Sequence, residues 1–202
     1  MQKGHTVHTE GFEIRSDELD VHKKASLQAL SCYMQETAVK HIDTLNMGIN
    51  KLLEKDYIWV LSKIRIKVIR FPEWESRISV QTWGEIDRMF ANRQFRILDE
   101  NSQAIVLASS SWLVIDLKRN RPVPLSVVMK DFDRANNEKV FSEELLKLPV
   151  PDEYDFIIKA QVKYSDLDFN RHANNTKYLD WLLESVPMDF RRDHVVDVLE
   201  IN

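Results

Sequence analysis

The sequence predicts an α+β protein made of two similar units in tandem. Each unit is a curved antiparallel sheet wrapped around a long central helix, and the second unit is incomplete. Three observations lead there. A long helical periodicity lies between one short strand and a series of long alternating strands. The opening of this unit recurs 148 residues later. The recurrence adds a polar motif that the first copy lacks.

Taken in order, Thr6–Ser16 reads as a strand interrupted by Gly11, with Phe12 and Ile14 on one side. Leu27, Leu30, Tyr33 or Met34, Thr37, Ala38, His41 and Leu45 then recur at three and four residues, the spacing of a helix with one buried face. Ser26 suits its N-cap, and Gly48 its stop. After a polar loop, Tyr57–Arg70 alternates and places Ile58, Val60, Ile64, Ile66 and Val68 on one face, until Phe71-Pro72-Glu73-Trp74 breaks it. Arg77–Ile86 and Met89–Leu98 alternate again, and the polar turn Asp99–Ser102 leads into Ala104–Asp116. This order predicts a sheet wrapped on a central helix, although the pattern alone admits other α+β folds.

Residues 1–130 are therefore expected to form the first domain, 131–151 a charged linker with a helical turn around Ser142–Lys147, and 152–202 the start of a second domain. That start comprises a strand over Tyr154–Tyr164, a motif and a helix. Counterparts of the strands within roughly Arg65–Asp116 are missing after Asn202, so the sequence is expected to be a fragment of a longer chain.

The motif is Ser165–Pro187. Asp168, Asn170 and His172 are spaced by two, so an extended backbone would point all three the same way. Asn174 and Asn175 are good N-caps, and Tyr178, Trp181, Leu182 and Val186 form the predicted apolar face of the next helix. A carboxylate, an amide and an imidazole thus stand beside a helix N-terminus, whose free N–H groups can hold a developing oxyanion.

The 148-residue shift lays Ile14 on Val162, Arg15 on Lys163, Leu19 on Leu167, Asp20 on Asp168, Ala25 on Ala173, Tyr33 on Trp181, Met34 on Leu182 and Glu36 on Glu184. Such gapless similarity is the mark of duplication. Asn170 and His172 fall on His22 and Lys24, so only the second copy carries the complete set. The first half is then expected to bind and pack, and the second to carry the chemistry.

Composition narrows the function. The chain has 202 residues, 44% hydrophobic and 30% charged, which suits a soluble globular protein. No apolar run reaches the ~20 residues of a membrane span and no signal peptide follows Met1, so a cytoplasmic protein is expected. A net charge of −4 argues against general nucleic-acid binding, but leaves Lys118, Arg119 and Arg121, or Arg191 and Arg192, as local basic patches. Cys32, the single cysteine, allows no intrachain disulfide and reads as a small buried side chain. His5, His8, His41 and His194 lack metal spacing and read as surface or helix-face histidines. A calcium loop at Asp166, Asp168 and Asn170 lacks the required glycine and glutamate register. Four glycines form no phosphate loop, so neither metal nor cofactor is expected.

Asp166-Leu-Asp-Phe-Asn-Arg-His-Ala-Asn-Asn, followed by Tyr178, Trp181 and Glu184-Ser185, resembles the second half of acyl-ACP thioesterases. Tyr57-Ile-Trp-Val-Leu-Ser-Lys, Arg70-Phe-Pro-Glu-Trp, Thr82-Trp, Ala108-Ser-Ser-Ser-Trp-Leu-Val-Ile-Asp and Arg119-Asn-Arg-Pro-Val are similar to first-half motifs of that family. The resemblance implies tandem hot-dog folds, hydrolysis of fatty acyl-ACP to free fatty acid and holo-ACP, and the catalytic set Asp168, Asn170 and His172. Acyl carrier protein would be the partner, with homo-oligomerisation left open. The family's further acidic or cysteine site residue has no counterpart here. Asp168 suits a base or nucleophile, Asn170 a water-orienting group and His172 a proton shuttle. Val60, Trp59, Tyr33 and Met34 are candidate walls of an acyl pocket. An acyl-CoA thioesterase and a non-catalytic acyl-binding module are the alternative readings.

Overall fold

The computed structural model describes residues 7–128, 138–145, 147–153, 157–168 and 171–202. A short strand, β1 (His8–Glu13), leads into the long helix α1 (Leu27–Thr44) and the short helix α2 (Ile49–Leu53). Four long strands follow, β2 (Tyr57–Val68), β3 (Arg77–Asp87), β4 (Phe90–Leu98) and β5 (Ala104–Asp116), then β6 (Arg121–Val123) and α3 (Leu125–Val128). The second copy supplies α4 (Asn175–Glu184), α5 (Met188–Asp193) and β7 (Val198–Ile201). The main sheet runs β1-β3-β4-β5-β2-β7, every pair antiparallel, with β6 on β5.

Helix α1 begins where the sequence predicts: the Ser26 hydroxyl accepts the N–H of Ala29. Leu27, Leu30, Tyr33, Met34, Thr37, Ala38 and His41 are buried along its sheet-facing side. Of these, Leu27, Leu30, Tyr33, Met34 and Ala38 pack with Ile66, Val80, Phe95, Ile97 and Ala108 in one apolar core. Removing Leu30 from water contributes about 2 kcal/mol, and truncating it to alanine would cost about 2–5 kcal/mol with the cavity left behind. Gly48 does not stop α1, which ends at Thr44; it is the N-cap of α2, inside the segment read as a polar loop.

The predicted single face of β2 is divided by a β-bulge. Leu61 pairs with Trp112 and Lys63 with Ser111, so Ser62 is the extra residue. Cross-strand partners share a face. Ile64, Ile66 and Val68 lie with Ser110, Ala108 and Val106, whereas Ile58 and Val60 lie with Ile115 and Leu113. Trp59, opposite Val114, takes the inward place instead.

Two further expectations are corrected. No helical turn forms over the described residues of Ser142–Lys147. Residues 138–145 are instead tied to the sheet, with Trp83 Nε1 donating to the Glu138 carbonyl, Val140 N–H to Gln94 Oε1, and Lys63 Nζ to the Leu145 carbonyl. The strand expected over Tyr154–Tyr164 is not formed at 157–163, and its residues 154–156 lie outside the described residues. Its counterpart β1 is held by β3, and no described strand plays that part for residues 157–163. Alternation without a partner strand leaves Ile157, Ile158 and Val162 exposed.

Candidate active site

One turn is built in the same way in both copies. In each copy a one-turn 3-10 helix, Ser16–Glu18 or Tyr164–Asp166, is closed by a carboxylate, Glu18 or Asp166, accepting the backbone N–H of Arg15 or Lys163. The chain then reverses. Asp20 N–H donates to the Lys24 carbonyl at 2.8 Å and Asp168 N–H to the His172 carbonyl at 2.8 Å. Lys23 and Arg171 take the left-handed conformation, with φ of 59° and 63°. Ser26 and Asn174 cap the following helices, so every step is repeated at the 148-residue shift.

This reversal corrects the expected geometry. Asp168 and His172 do not project from an extended strand; they face each other across the turn, with the Asp168 carboxylate accepting the N–H of His172 at 3.1 Å. The left-handed residue Arg171 makes the reversal possible. Asn170 lies outside the described residues. Asp168 is half-buried and the His172 side chain is exposed.

Asp168, His172 and the first turn of α4 line a cavity of about 1130 Å³. Its other walls include Met34, Ala38, Ile42, Trp59, Phe95 and Leu179, and the expected wall residues Tyr33 and Val60 also line it. Every residue from Ile58 to Ile64 borders it. Since β7 pairs with Ile64–Lys67, the preceding part of β2 has no described strand on that side, and the cavity opens around this edge. The volume exceeds that of most small-ligand sites and suits a long apolar group.

Helix α4 enters this arrangement by a different face from the one predicted. Thr176 and Leu179 are buried, while Tyr178 and Leu182 are about half exposed. The buried side meets α1, where Gln28 Nε2 donates to Asp180 at 2.6 Å. Cys32 is an exposed residue of α1 rather than a buried one. Among the described residues, no cluster of three His, Cys, Asp or Glu side chains is placed to hold a metal ion, and no helix is long and apolar enough to cross a membrane.

Sequence reasoning missed a second polar group. Arg93 on β4 donates to His41 Nδ1 at 3.0 Å and to the Thr82 hydroxyl at 3.1 Å. His41 lies on the buried face of α1, as its helical spacing predicts, and burial, the Arg93 cation and neighbouring His8 push its pKa down to about 4. Burial alone lowers the Arg93 guanidinium to about 10. The available signal was position: Arg93 falls in step with Ala91, Phe95 and Ile97, the inward register of β4.

Strand order 1-3-4-5-2 around a central helix, with the turn and helix start duplicated, defines a hot-dog protein of tandem type. The acyl-ACP thioesterase N-terminal domain matches residues 5–132, and the acyl-ACP thioesterase C-terminal domain matches residues 151–202. The chain belongs to the acyl-ACP thioesterase family. It is 31% identical over 198 residues to a chloroplastic acyl-acyl-carrier-protein hydrolase of Cuphea viscosissima, covering 90% of this chain and 47% of that protein. The chain thus spans about half the length of the curated relatives it matches. Among solved structures, an acyl-ACP thioesterase from Bacteroides thetaiotaomicron matches with a TM-score of 0.75 and 26% identity, over 96% of this chain and 79% of that one. The 12:0-ACP thioesterase from Umbellularia californica shares the fold at a TM-score of 0.81 and 22% identity, over 96% of this chain and 80% of that one.

Proposed function

We propose that the protein containing this chain hydrolyses fatty acyl thioesters of acyl carrier protein, releasing the free fatty acid and holo-ACP. The acyl chain occupies the cavity between α1 and the sheet, and the thioester lies at the turn carrying Asp168 and His172. The observation that carries this reading is the meeting of the two features: the polar turn and the apolar walls border one cavity. Membership of the family and the names of the curated relatives support the carrier-bound substrate.

The reaction adds water across the C–S bond. Oxygen joins the acyl carbon, the C–S bond breaks, and the sulfur leaves with a proton. Asp168 serves as general base toward water or as nucleophile toward the carbonyl carbon. His172 shuttles the proton, and Asn170 orients the water or Asp168. The N-terminal N–H groups of α4 stabilise the oxyanion, as fixed dipoles aimed at developing charge. Asp20, Lys24 and His22 in the first copy offer a carboxylate without the rest of the set.

Incubation of the complete protein with matched series of acyl-ACP and acyl-CoA tests the proposal. Free fatty acid should form from acyl-ACP with the higher kcat/KM. Equal or faster release from CoA esters at every chain length would overturn the carrier assignment.

A further inference from the structure

Helices α1 and α4 meet through two polar contacts. Gln28 Nε2 donates to Asp180 Oδ2 at 2.6 Å, and Cys32 is hydrogen-bonded to Thr176. Gln28 and Cys32 are four residues apart on α1, as are Thr176 and Asp180 on α4, so the contacts lie roughly 6 Å apart along the helix axes. The 148-residue shift lays Gln28 on Thr176 and Cys32 on Asp180. Each contact therefore joins the same two places of the repeat with the copies exchanged, the mark of a two-fold relation between the helices. Sliding α4 along α1 by one residue, about 1.5 Å, would break both.

The Cys32 contact runs on into the candidate site. The Thr176 hydroxyl and backbone N–H both donate to Asn174 Oδ1, at 3.1 and 3.0 Å. Asn174 is the N-cap of α4, and its own N–H donates to the Asp166 carbonyl at 2.8 Å. It borders the cavity, as His172 does. The seat of α4 on α1 thus fixes where the first turn of α4 stands beside the duplicated turn.

The Gln28 contact has no such local use. Asp180 is partly buried, and Lys177 Nζ shares its Oδ2 at 3.3 Å. Burial raises its carboxyl above the ordinary carboxylate range. Apolar side chains of similar size often stabilise a helix interface as well or better, but they admit several registers where a polar pair admits one. Neither Gln28 nor Asp180 is among the walls of the cavity, so an effect on the reaction has to pass through the placement of α4.

We infer that Gln28 and Asp180 are positioning residues: their contact sets the register of α4 on α1 and so holds the N-terminal N–H groups of α4 against the cavity, where the thioester carbonyl binds. The inference rests on the thioesterase reading and adds to it the contact that aims the helix.

The test uses the complete protein as wild type, Q28L/D180L and D180N. The double substitution closes the interface with apolar side chains and removes the register. Its melting temperature should stay at or above that of the wild type, while kcat toward acyl-ACP falls ~10-fold. KM should stay within about twofold, because no wall of the cavity has changed. D180N keeps an oxygen that accepts from Gln28, and should retain kcat close to the wild type. Hydrogen exchange over residues 172–178 should quicken in Q28L/D180L and not in D180N. An unchanged kcat in Q28L/D180L, a kcat that falls only in step with melting temperature, or an equal loss in D180N would overturn the inference. If the wild type releases no fatty acid, the thioesterase reading falls and the exchange decides: faster exchange confined to Q28L/D180L upholds the positioning role, and unchanged exchange overturns it.

Discussion

The guanidinium of Arg93 donates to the imidazole of His41 at 3.0 Å, so a cation rests against a histidine that must stay neutral. His8 stacks on the other side, with ring centroids 5.4 Å apart, and is itself held by Glu10. Protonating His41 would place two cations in contact inside the fold.

The first prediction is therefore a stability loss in acid. The folded pKa of His41 is about 4, below the ordinary value near 6.5, so the unfolded chain binds more protons between those limits. The contribution is complete above the unfolded pKa and declines as pH falls to about 4, by up to roughly 3 kcal/mol. His41→Gln keeps a neutral acceptor for Arg93 and removes the titration. Its melting temperature should fall less than that of the wild type between pH 7 and pH 4.5. Parallel curves for the two proteins would contradict the assignment.

The second prediction concerns the buried side of α4. In this 202-residue chain, Leu179→Ala should cost about 2–4 kcal/mol, because Leu179 is 3% exposed. Leu182→Ala should cost under about 1 kcal/mol, because Leu182 is 43% exposed. Denaturant midpoints at constant m give both values, and equal losses would restore the face read from the sequence.

The third prediction bears on the carrier. Lys118 is paired with Asp56 at 2.5 Å and Arg119 with Asp116 at 3.8 Å, so part of this basic patch is already locally neutralised. Joint reversal of Lys118 and Arg121 to glutamate should lower kcat/KM toward acyl-ACP through association, with kcat little changed. The effect should shrink as salt rises. A salt-independent loss in kcat would place these residues elsewhere in the mechanism.

Much of this organisation was legible because burial repeats along the chain. Helix α1 keeps one face against the core from Leu27 to His41, and its Ser26 cap is a strong local signal. The bulge at Ser62 was not legible, because Trp59, Val60, Leu61 and Ile64 supply apolar residues in both registers. The reversal at the site was hidden for another reason: its left-handed residues are Lys23 and Arg171, neither a glycine nor an asparagine. The strand over Tyr154–Tyr164 had the right alternation, but alternation specifies a strand only when a partner receives it. At the site, the sequence singled out Asp168 and His172 by spacing and resemblance, while Arg93 passed unnoticed among the polar residues of β4.

The fourth prediction uses the duplication as an internal control. Asp20 accepts the N–H groups of His22 and Lys24 at 2.9 and 3.2 Å, and Asp168 accepts that of His172 at 3.1 Å. Asparagine retains an accepting oxygen in either place but can neither take a proton nor attack a carbonyl. Any structural role is thus shared by the two aspartates, and the proposed chemistry belongs to one. The deciding measurement is kcat/KM toward acyl-ACP, with melting temperature, for Asp168→Asn and Asp20→Asn in the complete protein. The account predicts a loss of ~100- to 10,000-fold for Asp168→Asn at nearly unchanged melting temperature, with substantial activity kept by Asp20→Asn. Equal activity losses tracking equal drops in melting temperature would contradict it and make both carboxylates structural.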